Sequence, residues 1–263
     1  MSARTIRLFL AGCNGRMGRV IDRLASEGQE FAIVGGSDVL LPDDRKYPVY
    51  PDTALCDTEY DVLIDFSRPS AFSSLLTLAE RTGKPSVVCT TGLSPEQGTA
   101  LRDLSVRHAV FQSANMSLGV NLLMNLVEKA AATLYPGFDI EIIEAHHNQK
   151  LDAPSGTAMM IADAIRSVRD GLAGDGQENK SVYTYDRHSI RAIRDPNEIG
   201  IHAIRGGSIV GEHEILFAGQ DETLRISHSA ASRDVFGRGA LSAARYMEGK
   251  HSGFYSMKDL IGR

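Results

Sequence analysis

Short apolar runs separated by turns mark the first part of the chain. Each run is long enough for one buried strand, and they lie at 6–11, 31–38, 60–67 and 84–89. A helix is predicted over 19–25, and another opens at Arg68-Pro69-Ser70, where proline suits the first helical turn. Strands alternating with helices in this way predict an α/β fold with a Rossmann-like, doubly wound parallel sheet.

The pattern changes at Ser117. Apolar residues at 118, 122, 123, 126, 127, 130 and 134 form one face of a helix, and 138–145 then predicts a strand. Three later strands, at 199–207, 208–219 and 222–231, are split by glycines and acidic turns, which favours hairpin connections. We therefore predict a second, α+β domain with a mixed, largely antiparallel sheet. The polar stretch from about 170 to 189 is expected to be an exposed loop.

Composition narrows the class of protein. The chain has 263 residues, 43% of them hydrophobic, and a formal net charge of −5 with no dense Lys/Arg block, so no nucleic-acid partner is expected. No apolar run is long enough to cross a bilayer and no cleavage signature follows the start, so we expect a cytoplasmic protein without a membrane partner. The three cysteines lack CxxC spacing, which predicts neither a disulfide framework nor a zinc site.

A glycine-rich turn, Gly12 to Gly18, lies between the first predicted strand and helix, where a diphosphate can approach backbone N–H groups. Its glycines are spaced by three and three, unlike the commoner G-x-G-x-x-G, so by itself a plain tight turn is an equal alternative. Asp38 ends the second strand 20 residues after Gly18 and suits a ribose diol, although a solvated turn aspartate is the simpler alternative. Val39 follows it, so only Arg16 is placed to meet a 2′-phosphate, and NADH is predicted to serve at least as well as NADPH.

The segment EAHHNQKLDAPSGTA, residues 144–158, leaves a strand and opens a helix. Ser155 suits the N-cap, and the N–H groups of Gly156 and Thr157 then form an anion site at the helix N-terminus. Lys150 and the histidine pair add positive charge and proton donors beside it. The residues alone indicate an anion site with acid/base groups.

Other interpretations of the same residues are weaker. Adjacent histidines at a strand end point to opposite sides and no H-x-x-x-H spacing occurs, so no metal site is predicted. Ser155 is not in a G-x-S-x-G elbow, which disfavours a nucleophile. His202, His213 and His228 lie in predicted strands and are interpreted as structural.

EAHHNQKLDAPSGTA resembles the signature of the dihydrodipicolinate reductase family, and AGCNGRMGR, DVLIDFSRPSA, SANMSLGVN, IRGGSIVGEHEILF and HSAASRDVFGRGAL resemble other segments of that family along nearly the whole chain. The resemblance implies a dinucleotide-binding domain formed by 1–117 and 229–263, and a substrate-binding domain, 118–228, that assembles a homotetramer. It implies reduction of 4-hydroxy-tetrahydrodipicolinate to tetrahydrodipicolinate with loss of water, using NADH and/or NADPH, in the diaminopimelate pathway of lysine biosynthesis.

The resemblance also implies roles for individual residues. His146 matches the family's proton donor/acceptor and Lys150 its proton donor, while His147, Gly156 and Thr157 match contacts to the substrate carboxylate. Matches to cofactor-binding residues are Gly12, Cys13, Asn14, Gly15, Arg16, Met17, Asp38, Cys89, Thr90, Thr91, Ser113, Ala114, Asn115 and Met116. The chain departs from the family at Cys89, where glycine is usual, so the backbone there must accept a side chain.

Two alternatives remain open at this point. One is a two-domain dehydrogenase of another amino or keto acid, such as an aspartate dehydrogenase-like enzyme, which does not need the HHxxKxDAPSGTA block. The other is a cofactor-sensing regulator that has lost chemistry, against which the intact His146 and Lys150 argue.

Overall fold

The computed structural model describes residues 4–41, 45–173 and 180–262. Its strands are β1 (Ile6–Ala11), β2 (Phe31–Ser37), β3 (Val49–Tyr50), β4 (Val62–Asp65), β5 (Ser86–Val88), β6 (Ala109–Gln112), β7 (Asp139–His146), β8 (Val182–Thr184), β9 (Glu198–Arg205), β10 (Gly211–Ala218), β11 (Thr223–Ala230) and β12 (Gly253–Tyr255). Its α-helices are α1 (Arg16–Ser26), α2 (Phe72–Thr82), α3 (Pro95–Ser105), α4 (Leu118–Leu134), α5 (Gly156–Ala173), α6 (Asp234–Met247) and α7 (Met257–Ile261).

The chain divides into two compact units. Unit 1 comprises 1–118 and 233–263, and unit 2 comprises 119–232. The first junction lies one residue after the predicted boundary. The second lies four residues later than predicted because β11 continues to Ala230.

Unit 1 is built on a parallel sheet of seven strands in the order β12-β6-β5-β4-β1-β2-β3. Its central strands are buried on both faces, as parallel strands covered by helices must be. Leu8 and Leu10 face a core shared with α1 and α6, whereas Phe9 faces the core of α2 and α3. The predicted Rossmann-like α/β fold is confirmed. Strands β2 and β3 are added on one side of β1, and β4, β5 and β6 are added on the other side. The strand order therefore reverses between β1 and β4, and ligands bind at such a point in folds of this type.

Several elements of unit 1 differ from the sequence-based expectation. α1 begins at Arg16, three residues earlier than predicted, so Gly18 lies in its first turn. α3 and β6 were not predicted, although a capping box of Ser94 and Gln97 marks the start of α3. The tail contributes β12, which pairs with β6.

Unit 2 holds a five-stranded mixed sheet in the order β11-β10-β7-β9-β8. β10 pairs antiparallel with β7 and β11, while β9 pairs parallel with β7 and β8. The expected hairpin pairing of β10 with β11 is confirmed, but the expected pairing of β9 with β10 is wrong. β7 lies between β9 and β10, and the buried residues of both strands align with the isoleucines of β7.

Both helices of unit 2 pack on one face of this sheet. Alternate residues such as Ile142, Ile201 and Ile215 form the core there with α4 and α5. The opposite face carries exposed side chains such as Glu212, Arg225 and Ser229.

The segment predicted as a loop from about 170 to 189 is shorter than expected. α5 continues to Ala173 and β8 occupies Val182–Thr184, while 174–179 lie outside the described residues. Across the described ranges, no helix is both long and apolar enough to span a bilayer.

Candidate active site

The turn after β1 is shaped for close approach of a ligand to its backbone. Gly12 has a φ of +76°, and a Cβ there would lie 2.5 Å from Phe66 O. A Cβ on Gly18 would lie 2.3 Å from Gly12 O, so the first turn of α1 packs directly on the loop. Both glycines are required sterically, and Gly15 at the N-cap of α1 is exposed.

Asp38 lies at the carboxyl end of β2, against this turn. Its carboxylate accepts hydrogen bonds from Asn14 N at 2.9 Å and Leu40 N at 3.1 Å. Arg45 also binds the turn, donating to Asn14 Oδ1 and Cys13 O, each at 2.9 Å. Arg45 was not identified from the sequence because it lies far along the loop after β2.

A cavity of about 450 Å³ opens beside the turn. Four of the predicted cofactor residues line it: Gly12, Asn14, Gly15 and Asp38. Arg68 and Ser67, at the carboxyl end of β4, also line it, and the sequence analysis did not assign them a role. Cys13 is fully buried in the core, and burial raises the pKa of its thiol to about 11, so only its backbone faces the turn. Arg16 is exposed and Met17 is half-buried.

The predicted loops after β5 and β6 lie at the same edge of the sheet. Thr90 Oγ1 donates to Asp65 Oδ2 at 2.7 Å, which attaches the loop of Thr90 and Thr91 to the end of β4. Burial raises the pKa of Asp65 and, with the nearby Asp65 charge, raises that of Cys89. The Cys89 side chain is buried in the core, and no described residue other than glycine has a positive φ, so this position accepts a side chain without strain.

The loop after β6 is held by its own side chains. Ser113 Oγ donates to Asn115 O at 2.7 Å, and Ser117 N donates to Asn115 Oδ1 at 2.9 Å. Met116 is buried, and Gly239 of α6 packs so closely that a Cβ there would lie 1.7 Å from Met116 O. Ala114 is exposed at the top of the loop.

The site in unit 2 forms where the helix-covered face of the sheet changes from apolar to polar. Along β7 the inward positions run Ile140, Ile142, Glu144 and His146. Glu144 pairs in register with His213 of β10, and His213 pairs with His228 of β11. One carboxylate and three imidazoles, from Glu144, His146, His213 and His228, thus follow the apolar side chains on the inward face of β7, β10 and β11.

Glu144 is fully buried and binds three residues. Its Oε2 lies 2.5 Å from His146 Nδ1, its Oε1 accepts from Ser155 N at 3.0 Å, and Arg205 donates to both oxygens at 2.7 and 2.8 Å. Burial alone would raise the pKa of Glu144, but the hydrogen bonds from Arg205, His146 and Ser155 outweigh it and hold that pKa below its ordinary value. The carboxylate is therefore ionised at neutral pH.

His213 contacts both His146 and the start of α5. Its ring packs edge-on against that of His146 with centroids 5.4 Å apart, and its Nε2 lies 3.2 Å from Ser155 Oγ. Burial and the neighbouring His146 lower the pKa of His213 to about 4, so it is neutral at physiological pH. The sequence analysis left His213 out of the site, whereas strand alternation places it on the same face as Glu144, in contact with His146 and Ser155.

The start of α5 has the cap that the sequence predicts. Ser155 Oγ accepts from Ala158 N at 3.1 Å, leaving Gly156 and Thr157 as the first residues of the helix. A Cβ on Gly156 would meet nothing within 4 Å, so this end of the helix faces open space. His147 follows His146 directly, and within the described part of the chain its buried Nδ1 has no hydrogen-bond partner.

Lys150 lies in the loop between β7 and α5. Its Nζ is 2.9 Å from Asp152 Oδ1, and this hydrogen bond lowers the pKa of Asp152. The Lys150 side chain is 20% exposed against 60% for Asp152. Unit 2 therefore carries His146, His147, Lys150, Gly156 and Thr157 on one short stretch of chain.

In unit 2, Glu144, Arg205, Gly211 and His213 contact the predicted site residues, and the sequence analysis assigned none of the four to the site. A carboxylate two positions before His146 in a strand shares its face, so the period of two could have identified Glu144. Gly211 lies against His146, since a Cβ there would be a tight 3.1 Å from His146 Nε2. The described residues contain no group of three or more His, Cys, Asp or Glu that could hold a metal ion.

Comparison with known proteins identifies the family. Profiles described as "Dihydrodipicolinate reductase, N-terminus" and "Dihydrodipicolinate reductase, C-terminus" match residues 6–116 and 119–261. The 4-hydroxy-tetrahydrodipicolinate reductase of Caldanaerobacter subterraneus subsp. tengcongensis is 50% identical over 97% of this chain and 98% of that protein. The reductase of the same name from Clostridium novyi is 46% identical over the same two shares.

A solved structure shares the fold. The dipicolinate-bound dihydrodipicolinate reductase from Paenisporosarcina sp. TG-14 superposes with a TM-score of 0.77 at 24% identity, covering 98% of this chain and 100% of that one. Two matching profiles and near-full-length relatives confirm the resemblance stated from the sequence: the chain belongs to the dihydrodipicolinate reductase family.

Proposed function

We propose that this enzyme reduces 4-hydroxy-tetrahydrodipicolinate to tetrahydrodipicolinate, with loss of water and with NADH or NADPH as the hydride donor, in the diaminopimelate route to lysine. The observation that carries the proposal is the polar end of β7, where a carboxylate-bound histidine lies beside the start of α5. The substrate bears two carboxylates, and its reduction needs an anion site next to a proton donor.

The start of α5 is proposed to bind one substrate carboxylate. Gly156 and Thr157 present the first backbone N–H groups of a helix of 18 residues, whose dipole favours an anion. The open space at Gly156 allows the carboxylate to approach, and His147 adds a donor nearby.

His146 and Lys150 are proposed to move the protons. Hydride addition leaves electron density on an adjacent carbon or nitrogen of the substrate, which must take up a proton from an acid within hydrogen-bond reach. His146 is 12% exposed at its side chain and keeps Nε2 for that task, since Nδ1 is bound to Glu144. Lys150 supplies a second N–H donor and a positive charge beside the anion.

The dinucleotide fits unit 1. Gly12, Gly15 and Asn14 are proposed to hold its diphosphate, Asp38 its adenosine ribose, and the loops at Thr90 and Asn115 its nicotinamide half. The steric need for glycine at 12 and 18 and the cavity beside Asp38 support this fit. When bound, the cofactor supplies the hydride. The Asp38 carboxylate repels a 2′-phosphate, so we propose that NADH serves at least as well as NADPH.

We further propose that the enzyme is a cytoplasmic homotetramer without nucleic-acid or membrane partners. The net charge of −5 supports the absence of a polyanion partner. The sheet face of unit 2 opposite α4 and α5 is the surface we assign to assembly.

Oxidation of NADH and NADPH with freshly generated substrate tests the proposed reaction. Wild type should turn over with both cofactors, and Lys150→Ala should lose about 10²-fold or more in kcat. Lys84→Ala, which alters a lysine in unit 1, is the control and should keep full activity. Turnover unchanged in Lys150→Ala would contradict the role of Lys150, and no turnover by wild type would contradict the proposed reaction.

A further inference from the structure

Glu144 has no role in the proton transfers described above, yet its buried carboxylate binds three residues around the site. Its two oxygens accept from His146 Nδ1, Ser155 N and both terminal nitrogens of Arg205. Arg205 also donates to Asp152 O at 2.7 Å, which holds the loop that carries Lys150. One buried carboxylate therefore contacts both the proposed proton donor and the proposed anion site.

The contact with His146 fixes where the ring carries its proton. An ionised carboxylate can only accept, so Nδ1 must donate across the 2.5 Å contact. The neutral ring then has its lone pair on Nε2, and the protonated ring has its transferable proton there. The Glu144 contact at Nδ1 and the edge-on packing of His213 hold the ring in this orientation, and Gly211 has no side chain to press on Nε2.

The contact with Ser155 fixes the helix start. Glu144 Oε1 accepts from Ser155 N, while Ser155 Oγ caps Ala158 N. The first turn of α5 is thereby fastened to the same carboxylate that orients His146, which sets the distance between anion site and proton donor.

We propose that Glu144 is a positioning residue that holds His146 in the Nδ1–H tautomer and so makes Nε2 the atom of proton transfer. This inference rests on the proposed function, in which His146 moves a proton. The competing explanation is a purely structural ion pair between Glu144 and Arg205, for which the tautomer of His146 is irrelevant.

Glu144→Gln separates the two explanations. The glutamine carbonyl can still accept from Ser155 N and from one Arg205 nitrogen. The amide nitrogen in place of Oε2 loses the second Arg205 hydrogen bond and donates towards His146 Nδ1, which reverses the tautomer. We expect kcat to fall about 10²-fold or more, while the dissociation constant for dipicolinate changes less than about threefold. A structural role predicts lost stability and weaker dipicolinate binding without a selective loss of kcat.

Glu141→Gln is the matched control. Glu141 lies on the same strand but on the opposite face, and it too binds an arginine and a histidine, with Arg194 Nε at 3.0 Å and His202 Nε2 at 2.8 Å. Its substitution removes the same kinds of contact away from the site, so kcat should stay within about twofold of wild type.

The wild-type enzyme provides a readout that needs neither turnover nor a folded Glu144→Gln variant. Nitrogen-15 NMR of the imidazole rings, with His146→Gln to assign the resonance among eight histidines, distinguishes the tautomers. The Nδ1–H form of neutral His146 is expected. The Nε2–H form, or full kcat in a folded Glu144→Gln, would overturn the inference. Failure of wild type to reduce the substrate would overturn the proposed function instead and leave the tautomer result standing.

Discussion

His213 shows how a single buried residue links the site to stability. Its pKa is lowered from 6.5 to about 4, chiefly by burial and then by the charge of His146. The unfolded chain binds this proton near pH 6.5 and the folded chain only near pH 4, so the unfolded state holds more protons between these values. Neutral His213 therefore contributes full stability above pH 6.5, which is lost as the pH falls towards 4.

Urea unfolding of wild type and His213→Gln should differ in their pH dependence. Wild type should lose up to about 3 kcal/mol more than the variant between pH 7 and pH 4, because the variant has no imidazole to charge. His188→Gln, which removes an exposed histidine, should follow wild type. Parallel curves for wild type and His213→Gln would show that His213 titrates normally in the folded chain.

At the scale of elements, the start of α5 joins a structural cap at Ser155 to the proposed anion site at Gly156. Ser155 caps the helix through Ala158 N, and Gly156 comes next although glycine disfavours helix formation by about 1 kcal/mol relative to alanine. Since a Cβ on Gly156 meets nothing in the protein, packing does not explain the glycine. Glycine at this position is what the proposed carboxylate site at the helix N-terminus requires.

Gly156→Ala should therefore keep or raise the thermal midpoint of unfolding while raising KM for the substrate about tenfold or more, because its methyl group takes the space of the carboxylate. Gly171→Ala is the matched control in the same helix, where a Cβ also meets nothing within 4 Å. It should share the change in midpoint and leave KM unaltered. An unchanged KM in Gly156→Ala would place the carboxylate elsewhere.

The elements also show what the sequence could predict. The buried strands β1, β2, β4 and β5 and the apolar stripe of α4 were predicted, because each pattern is local. β6 and β12 were not, because short parallel strands are defined by partners distant in sequence. The position of β9 beside β7 also depends on which strand fills the centre of the sheet, which no local pattern encodes.

The residues of the candidate site also divide into those that a local pattern predicts and those that it does not. His146, Lys150, Gly156 and Thr157 lie on one continuous segment and were named from its residues and family resemblance. Arg205 and His213 reach the site through strand pairing, with Arg205 opposite His146 and His213 opposite Glu144. Only the three-dimensional register brings those side chains together.

At the scale of the whole molecule, the proposed tetramer is expected to assemble through the sheet of unit 2. Its helices cover one face of the sheet, and Leu216 lies on the other, near the centre of β10. Light scattering should give four times the mass of one chain. Leu216→Asp should give smaller particles, whereas Leu172→Asp, at an exposed position of α5, should not. A tetramer that survives Leu216→Asp would assign assembly to another surface.

Transfer of hydride from the cofactor to the substrate can be followed with deuterium. NADH carrying deuterium at both C4 hydrogens should be oxidised by wild type in the presence of 4-hydroxy-tetrahydrodipicolinate, and mass spectrometry should find tetrahydrodipicolinate with one deuterium. Product without deuterium, or NADH that stays reduced, would contradict direct hydride transfer from NADH to this substrate.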